Sequence, residues 1–336
     1  MKDTLKSMLK KQHYGLVGNH SAVQLCLWTK NSLNKKGVCW KEKFYGIKSH
    51  RCCQFSPSVM WCHNQCIHCW RPIEHNLGMK IPKENNPKEI IEGVIEARKK
   101  LLSGFGGNKN VSKKMLKKAE EPNFFTFSLS GEPTLYSQLP QLIREIRKRK
   151  AISFIVTNGL EPNRIKRLEK EKALPTQITI STNAPNEKLF KIWHRSMKKN
   201  AWKEFNKTLS IIKKLKGKTR RVIRLTLVKK SDKNKKSNFL DGIFNMEDKN
   251  IKEYAKLIKK AEPDFIHVKA FKSLGFARER MGYEKQPWFP EVLQFAKKLV
   301  KELKKQKYKI LAEDKRSCVV LIGKDKKKMK IKKREI

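Results

Sequence analysis

Cys62-His63-Asn64-Gln65-Cys66-Ile67-His68-Cys69 places three thiols within eight residues, directly after the apolar run Val59-Met60-Trp61. Iron-sulfur cubes are usually held by four cysteines, so a C-x3-C-x2-C loop that offers three leaves one iron open to a small molecule. An open metal position points to chemistry, a closed one to scaffolding. A structural zinc site built from Cys66 and Cys69 with His63 or His68 would use the same loop. The chain carries no second C-x2-C knuckle of the kind that would favour zinc.

Outward from the loop, short apolar stretches alternate with helical patterns. With 59–61 as the first strand, further strands are expected at 124–129, 153–156, 177–180, 222–228 and 265–268, and two more at 308–312 and 319–322. Helical periodicity covers 87–103, 138–149, 162–171, 201–215, 250–260 and 291–305, and a short amphipathic helix is expected over 1–11. The alternation implies a parallel sheet, and without a GxGxxG turn it reads as an α/β fold, an incomplete (β/α)6 TIM-like barrel. Polar motifs follow the strands: the cysteine loop, Ser130-Gly131-Glu132-Pro133-Thr134, Thr157-Asn158-Gly159, Ser181-Thr182-Asn183, then Lys229 and Lys269. In a barrel these ends share the catalytic face. The hydrophilic stretches 106–121 and 229–238 read as solvated loops. The expected division is an N-terminal extension over 1–57, a barrel over 58–323 and a basic tail over 324–336.

Lys and Arg number 79 against 31 Asp and Glu, a formal net charge of +48 over 336 residues. Such a surface repels itself unless a polyanion is near, and nucleic acid is the expected partner. A thermophile's ion-pair surface would enrich Glu together with Lys. No apolar signal core opens the chain and no run long enough to span a bilayer occurs, so a cytoplasmic protein with reduced cysteines and no membrane partner is expected. Upstream of the loop, Cys26, Cys39 and Cys52 are separated by twelve residues each. They are either a second three-thiol site or isolated thiols used as small core residues.

Taken together, the C-x3-C-x2-C loop, the Gly131-Glu132-Pro133 turn and the βα alternation resemble the radical S-adenosylmethionine (SAM) superfamily. Within it, Cys39-Trp40-Lys41-Glu42-Lys43-Phe44-Tyr45-Gly46-Ile47-Lys48-Ser49-His50-Arg51-Cys52 and Cys69-Trp70-Arg71 resemble the archaeal 4-demethylwyosine synthase family. So do Phe127-Ser128-Leu129-Ser130-Gly131-Glu132-Pro133, Arg224-Leu225-Thr226-Leu227-Val228-Lys229 and Asp264-Phe265-Ile266-His267-Val268-Lys269. The resemblance runs from about Cys26 to Ile322.

That resemblance implies an enzyme that condenses N1-methylguanosine of tRNA(Phe), beside the anticodon, with pyruvate to form 4-demethylwyosine. It implies two 4Fe-4S clusters: one on Cys62, Cys66 and Cys69 that chelates SAM, the other in the N-terminal extension on Cys26, Cys39 and Cys52. Cys53 matches no ligand, and Cys318 reads as a core residue. Lys41 matches the family's lysine and is the candidate for a Schiff base with pyruvate, its amine kept neutral by burial and a neighbouring cluster; Lys43 is the runner-up. Glu132 would take the SAM amino group, with Asn158 and Ser181 as neighbours. His68 stands where the family carries an aromatic, either packing on adenine or adding a ligand. Arg51, Arg71, Arg195 and Arg224 are unranked candidates for phosphate or substrate. With no flavodoxin-like segment legible, an external flavodoxin- or ferredoxin-like electron donor is expected, acting on a monomer. Two other readings use the same loop: a radical SAM methyl- or methylthiotransferase acting on RNA, and a zinc-dependent RNA-binding protein.

Overall fold

The computed structural model describes residues 1–231, 242–332 and 335. In chain order the strands are β1 (Gly15–Val17), β2 (Ser21–Gln24), β3 (Cys52–Ser56), β4 (Phe124–Phe127), β5 (Ile152–Thr157), β6 (Gln177–Ser181), β7 (Arg220–Leu227), β8 (Phe265–Ala270), β9 (Lys309–Asp314) and β10 (Val319–Gly323). They form one sheet in the order β1-β2-β3-β4-β5-β6-β7-β8-β10-β9. From β3 to β8 every neighbour is parallel. Antiparallel pairs flank this stretch on both sides, and the sheet does not close.

The helices are α1 (Asp3–Lys11), α2 (Leu27–Leu33), α3 (Trp40–Tyr45), α4 (Pro87–Leu102), α5 (Lys113–Glu120), α6 (Leu139–Lys148), α7 (Pro162–Lys170), α8 (Glu187–His194), α9 (Ala201–Lys214), α10 (Asp248–Ala261), α11 (Phe276–Met281) and α12 (Phe289–Glu302). None is long and apolar enough to cross a membrane. Local chemistry sets their ends. Asn86 and Glu89 form a reciprocal cap at the start of α4, with Pro87 in its first turn. Ile90, Ile91 and Val94 of α4 then bury one face against Phe55, Phe125 and Phe127 of the sheet, each fully buried apolar side chain contributing about 1.5–3 kcal/mol.

Strand alternation sorts the two faces of the sheet. In β7, Ile223, Leu225 and Leu227 join the outer layer with α9, α10 and α12, whereas Val222 faces inward with Phe124, Phe154, Phe265 and Leu321. The same rule separates the adjacent thiols of β3. Cys52 belongs to the inner core and Cys53 to the outer one under α4 and α6.

Several expectations change. The run 59–61 is not a strand: Met60 has φ 70°, the left-handed region, and Trp61 N–H bonds Ser58 O as a turn. Its side chains are buried, which gave the apolar signal without a ladder. The strand before the cysteine loop is β3 instead. Residues 1–57 therefore supply three strands, β1 to β3, to the common sheet. The stretch 106–121 contains α5. Leu25, Leu33, Leu102, Val111 and Ala119 share a small core there, and buried Arg98 donates to Ala119 O and His50 O at 2.9 and 2.8 Å. The loop expected over 229–238 lies mostly outside the described residues. The described part of the basic tail is docked: Arg220 donates to Lys328 O and Met329 O, and Ile331 N–H donates to Tyr45 O.

Candidate functional site

At the C-terminal ends of the parallel strands lies a cavity of about 370 Å³ whose lining includes Cys62, Cys66 and Cys69 together with Glu132, Asn158 and Ser181. That size suits a cofactor-sized ligand. The cysteine loop is fixed from distant elements. Gln65 and Ile67 donate backbone bonds to His194 O and Trp193 O at the end of α8, and Cys62 N–H donates to Gly78 O. Arg280 of α11 donates to the carbonyls of Ile67, Cys69 and Arg71 and pairs with Glu74 at 2.7 Å.

The glutamate turn is buttoned to the same loop. Glu132 N–H donates to Trp61 O and Ser58 Oγ donates to Glu132 O, both at 2.8 Å. Gly131 has φ +70°, and a Cβ there would lie 1.9 Å from Ser58 O, so only glycine permits this approach. The buried Glu132 carboxylate accepts from Thr134 N–H, Thr134 Oγ1 and Thr157 Oγ1 through Oε1, and from Asn158 N–H through Oε2 at 2.7 Å. Oε2 keeps a free lone pair toward the pocket. Ser181 Oγ accepts from Arg224 Nη2 at 3.0 Å.

The donor set fits a metal cluster. Burial pushes the Cys62 thiol up to about 12 and the Cys66 thiol well above its ordinary value; Glu132 and Cys69 add to the first shift, Cys62 and Cys69 to the second. Thiols this buried need a cationic centre in order to ionise. Cys66, His68 and His194 also approach one another, Cys66 Sγ lying 3.2 Å from His194 Nδ1. His68 is already engaged, because Trp193 Nε1–H donates to its Nδ1, and its Nε2 faces the Asn183 amide at 3.2 Å. With the Asn183 carbonyl turned to that nitrogen, both His68 nitrogens are satisfied, as is the otherwise unpartnered Asn183 Oδ1. His63 is likewise committed, its Nε2 2.8 Å from Glu161 and its Nδ1 3.3 Å from the Asn158 amide. Neither histidine keeps a nitrogen for the zinc arrangement considered from sequence.

The second cysteine set gathers around Lys41. Cys26 caps α2, Cys39 caps α3 and Cys52 opens β3; Ser49 ties these segments together, its Oγ accepting from Cys39 N–H at 2.9 Å and its carbonyl from Thr29 Oγ1–H at 3.1 Å. Each thiol lies in the field of the others and of Lys41. All eight cysteines are free thiols. Burial pulls the Lys41 amine down, while Cys52, Cys39 and Cys26 as free thiolates outweigh it and hold the amine above its ordinary value. Lys41 does not line the pocket. Two residues that do, Arg224 and Lys269, are its electrostatic neighbours, and burial and Arg224 bring Lys269 down to about 8. Lys43 turns away to Asp314 at 2.7 Å.

The structure also ranks the four arginines. Arg51 donates to Glu121 O, Arg195 to Gln65 O, and Arg71 to Leu129 O. Arg224 alone of the four keeps a buried Nε–H without a partner. Arg280 and His194 were missed by sequence reasoning, because no local spacing marks a residue that reaches the loop from another element, whereas Asn183 belongs to the strand-end motif expected on this face.

The chain matches the radical SAM superfamily model over residues 57–241 and the wyosine base formation model over residues 260–324. It is 40% identical to the S-adenosyl-L-methionine-dependent tRNA 4-demethylwyosine synthase of Pyrococcus abyssi, over 97% of this chain and 90% of that one. It is 32% identical to the protein of the same name in Methanocaldococcus jannaschii, over 97% and 98%. A solved structure of TYW1 with a lysine-pyruvate adduct bound superposes with a TM-score of 0.81 at 31% identity, covering 99% of each chain.

Proposed function

The chain belongs to the family of S-adenosyl-L-methionine-dependent tRNA 4-demethylwyosine synthases, and from that membership we propose how its residues divide the work of a radical SAM enzyme in wyosine base formation. Two groupings support the reading: Cys62, Cys66 and Cys69 line the pocket with Arg224 and Lys269, and Cys26, Cys39 and Cys52 surround Lys41, whose charge also interacts with that arginine and that lysine. Each set would hold a 4Fe-4S cluster. When bound to the first one, SAM supplies the one-electron chemistry that removes hydrogen from the N-methyl group of the guanine.

Glu132 takes the SAM amino group on its free lone pair, and Asn158, whose backbone N–H fixes that carboxylate, keeps it aimed. Lys41 condenses with the carbonyl of pyruvate, releasing water and anchoring the keto acid. Arg224 Nε–H meets the pyruvate carboxylate, a charge-assisted bond that satisfies its buried donor. The methylene carbon would bond to the Schiff-base carbon, and the C1–C2 bond of pyruvate would break so that the carboxyl carbon leaves as carbon dioxide, with the odd electron passing to the one-electron carrier. The exocyclic amine of the guanine would then displace Lys41 from the imine and close the ring. The substrate is tRNA(Phe) carrying N1-methylguanosine, and a separate donor supplies the electron.

Two substitutions separate these roles. Glu132→Gln should raise the SAM KM roughly tenfold or more with iron content unchanged, since a hydrogen bond to a charged group is worth about 1.5–3 kcal/mol; loss of iron with an unchanged KM would make Glu132 purely structural. Arg224→Gln should raise the pyruvate KM by a similar factor. A shift in the SAM KM instead would move Arg224 to the SAM carboxylate.

The activity is tested with anaerobically reconstituted enzyme, SAM, pyruvate and methylguanosine-bearing tRNA(Phe). The expected product is the tricyclic base, formed only when both pyruvate and a reductant are supplied. A methylated or methylthiolated base would overturn the reading in favour of a transferase, and turnover without a reductant would remove the external donor.

A further inference from the structure

Eight large apolar side chains are exposed among the described residues; two of them, Trp70 and Leu274, line the pocket, and two more, Tyr283 and Trp288, pair with each other beside the lining residue Lys272. Trp70 and Leu274 line its rim, and Phe276 N–H donates to Trp70 O. Tyr283 is 56% exposed and Trp288 46%, their rings 5.8 Å apart and inclined at 63°. Lys272 joins them to the pocket: it lines the cavity, and its Nζ stands 5.7 Å from the Trp288 ring centroid. The segment is held in place by Gln286, which accepts from Ser273 N–H at 3.0 Å and donates its own N–H to Tyr283 O. Folding gains little from rings left in water, so this patch is a candidate contact surface.

Charge selects the occupant. On a chain of net charge +48, a polyanion that also presents apolar faces is favoured, and single-stranded nucleic acid does both. A duplex buries its base faces and offers only edges and phosphates. We propose that Tyr283 and Trp288, with Lys272 beside them, form a stacking platform for an unpaired nucleotide flanking the base that enters the pocket. This rests on the reading that the substrate is a base in the anticodon loop. Lys272 meets the phosphate of the stacked nucleotide, and the pocket receives the neighbour displaced from the loop's own stack.

The test is binding of the reconstituted full-length enzyme to a labelled tRNA(Phe) anticodon stem-loop, measured across a salt series beside a fully paired RNA of equal charge. Trp288→Ala and Tyr283→Ala should each weaken stem-loop binding roughly tenfold or more, with the salt slope and the affinity for paired RNA unchanged. Trp288→Phe, which keeps a ring, should recover most of the loss, and iron content reports that each variant folds. Unchanged stem-loop affinity, or equal weakening toward paired RNA, overturns the platform. So does an effect confined to the rate of reduction by flavodoxin, which would make the patch a docking site for the donor. If the wild type itself shows no preference for the stem-loop over paired RNA, the anticodon-loop reading falls, and the platform with it.

Discussion

Cys66→Ala protein, reconstituted without oxygen, is expected to hold about four irons where the wild type holds about eight, and to cleave no SAM. Cys66 is the middle thiol of the loop, braced from both sides by the backbone bonds of Gln65 and Ile67 to α8. Its removal leaves that site two cysteines, too few for a cube. Iron and sulfide analysis checks the count, and release of 5'-deoxyadenosine checks the chemistry. The adjacent thiols of β3 make the matching comparison for the second site. Cys52→Ala should lose about four irons, whereas Cys53→Ala should lose none, because Cys53 faces the apolar layer under α4 and α6. About four irons in both the wild type and Cys52→Ala would eliminate the second cluster and leave the first intact.

Lys41→Ala should abolish the adduct that borohydride traps from pyruvate and lower product formation by roughly three orders of magnitude or more, the scale of the advantage lost when a reactant is no longer held in place. Lys41→Arg should fail equally, since a guanidinium keeps the charge but forms no Schiff base. That outcome separates nucleophilic anchoring from a purely electrostatic role beside the thiols. Lys269 is the informative rival, as it lines the pocket and Arg224 helps bring its amine down to about 8. Peptide mapping of the trapped adduct decides between them. A label on the peptide carrying Lys269, persisting in Lys41→Ala, would transfer the role. Lys43, paired with Asp314, should tolerate substitution by alanine with little change in trapping.

Much of this molecule is legible along the chain, because the deciding signals are local. Thiol spacing within one loop, a glycine before a glutamate and a β-branched run before a polar turn are properties of consecutive residues. The α/β alternation and the gathering of Glu132, Asn158 and Ser181 with the three cysteines follow from them, since parallel strands send their C-terminal ends to one face. The first strand was misplaced for a physical reason: burial and strand pairing both select apolar residues, and 59–61 has the burial without the pairing.

What tertiary structure alone decided is which partner each of several equivalent side chains meets. Sequence preferred Cys52 to Cys53 and Lys41 to Lys43 only through resemblance and left four arginines unranked; the fold adds that the two thiols face opposite sides of β3, that Lys43 pairs with Asp314, and that three of the arginines spend donors on carbonyls. It likewise could not see Asn183 and Trp193 occupying the nitrogens of His68. Each of these depends on partners many residues away. The sequence determines which chemical groups are present and their local spacing; the packed chain determines which of them remain unpaired and facing the pocket.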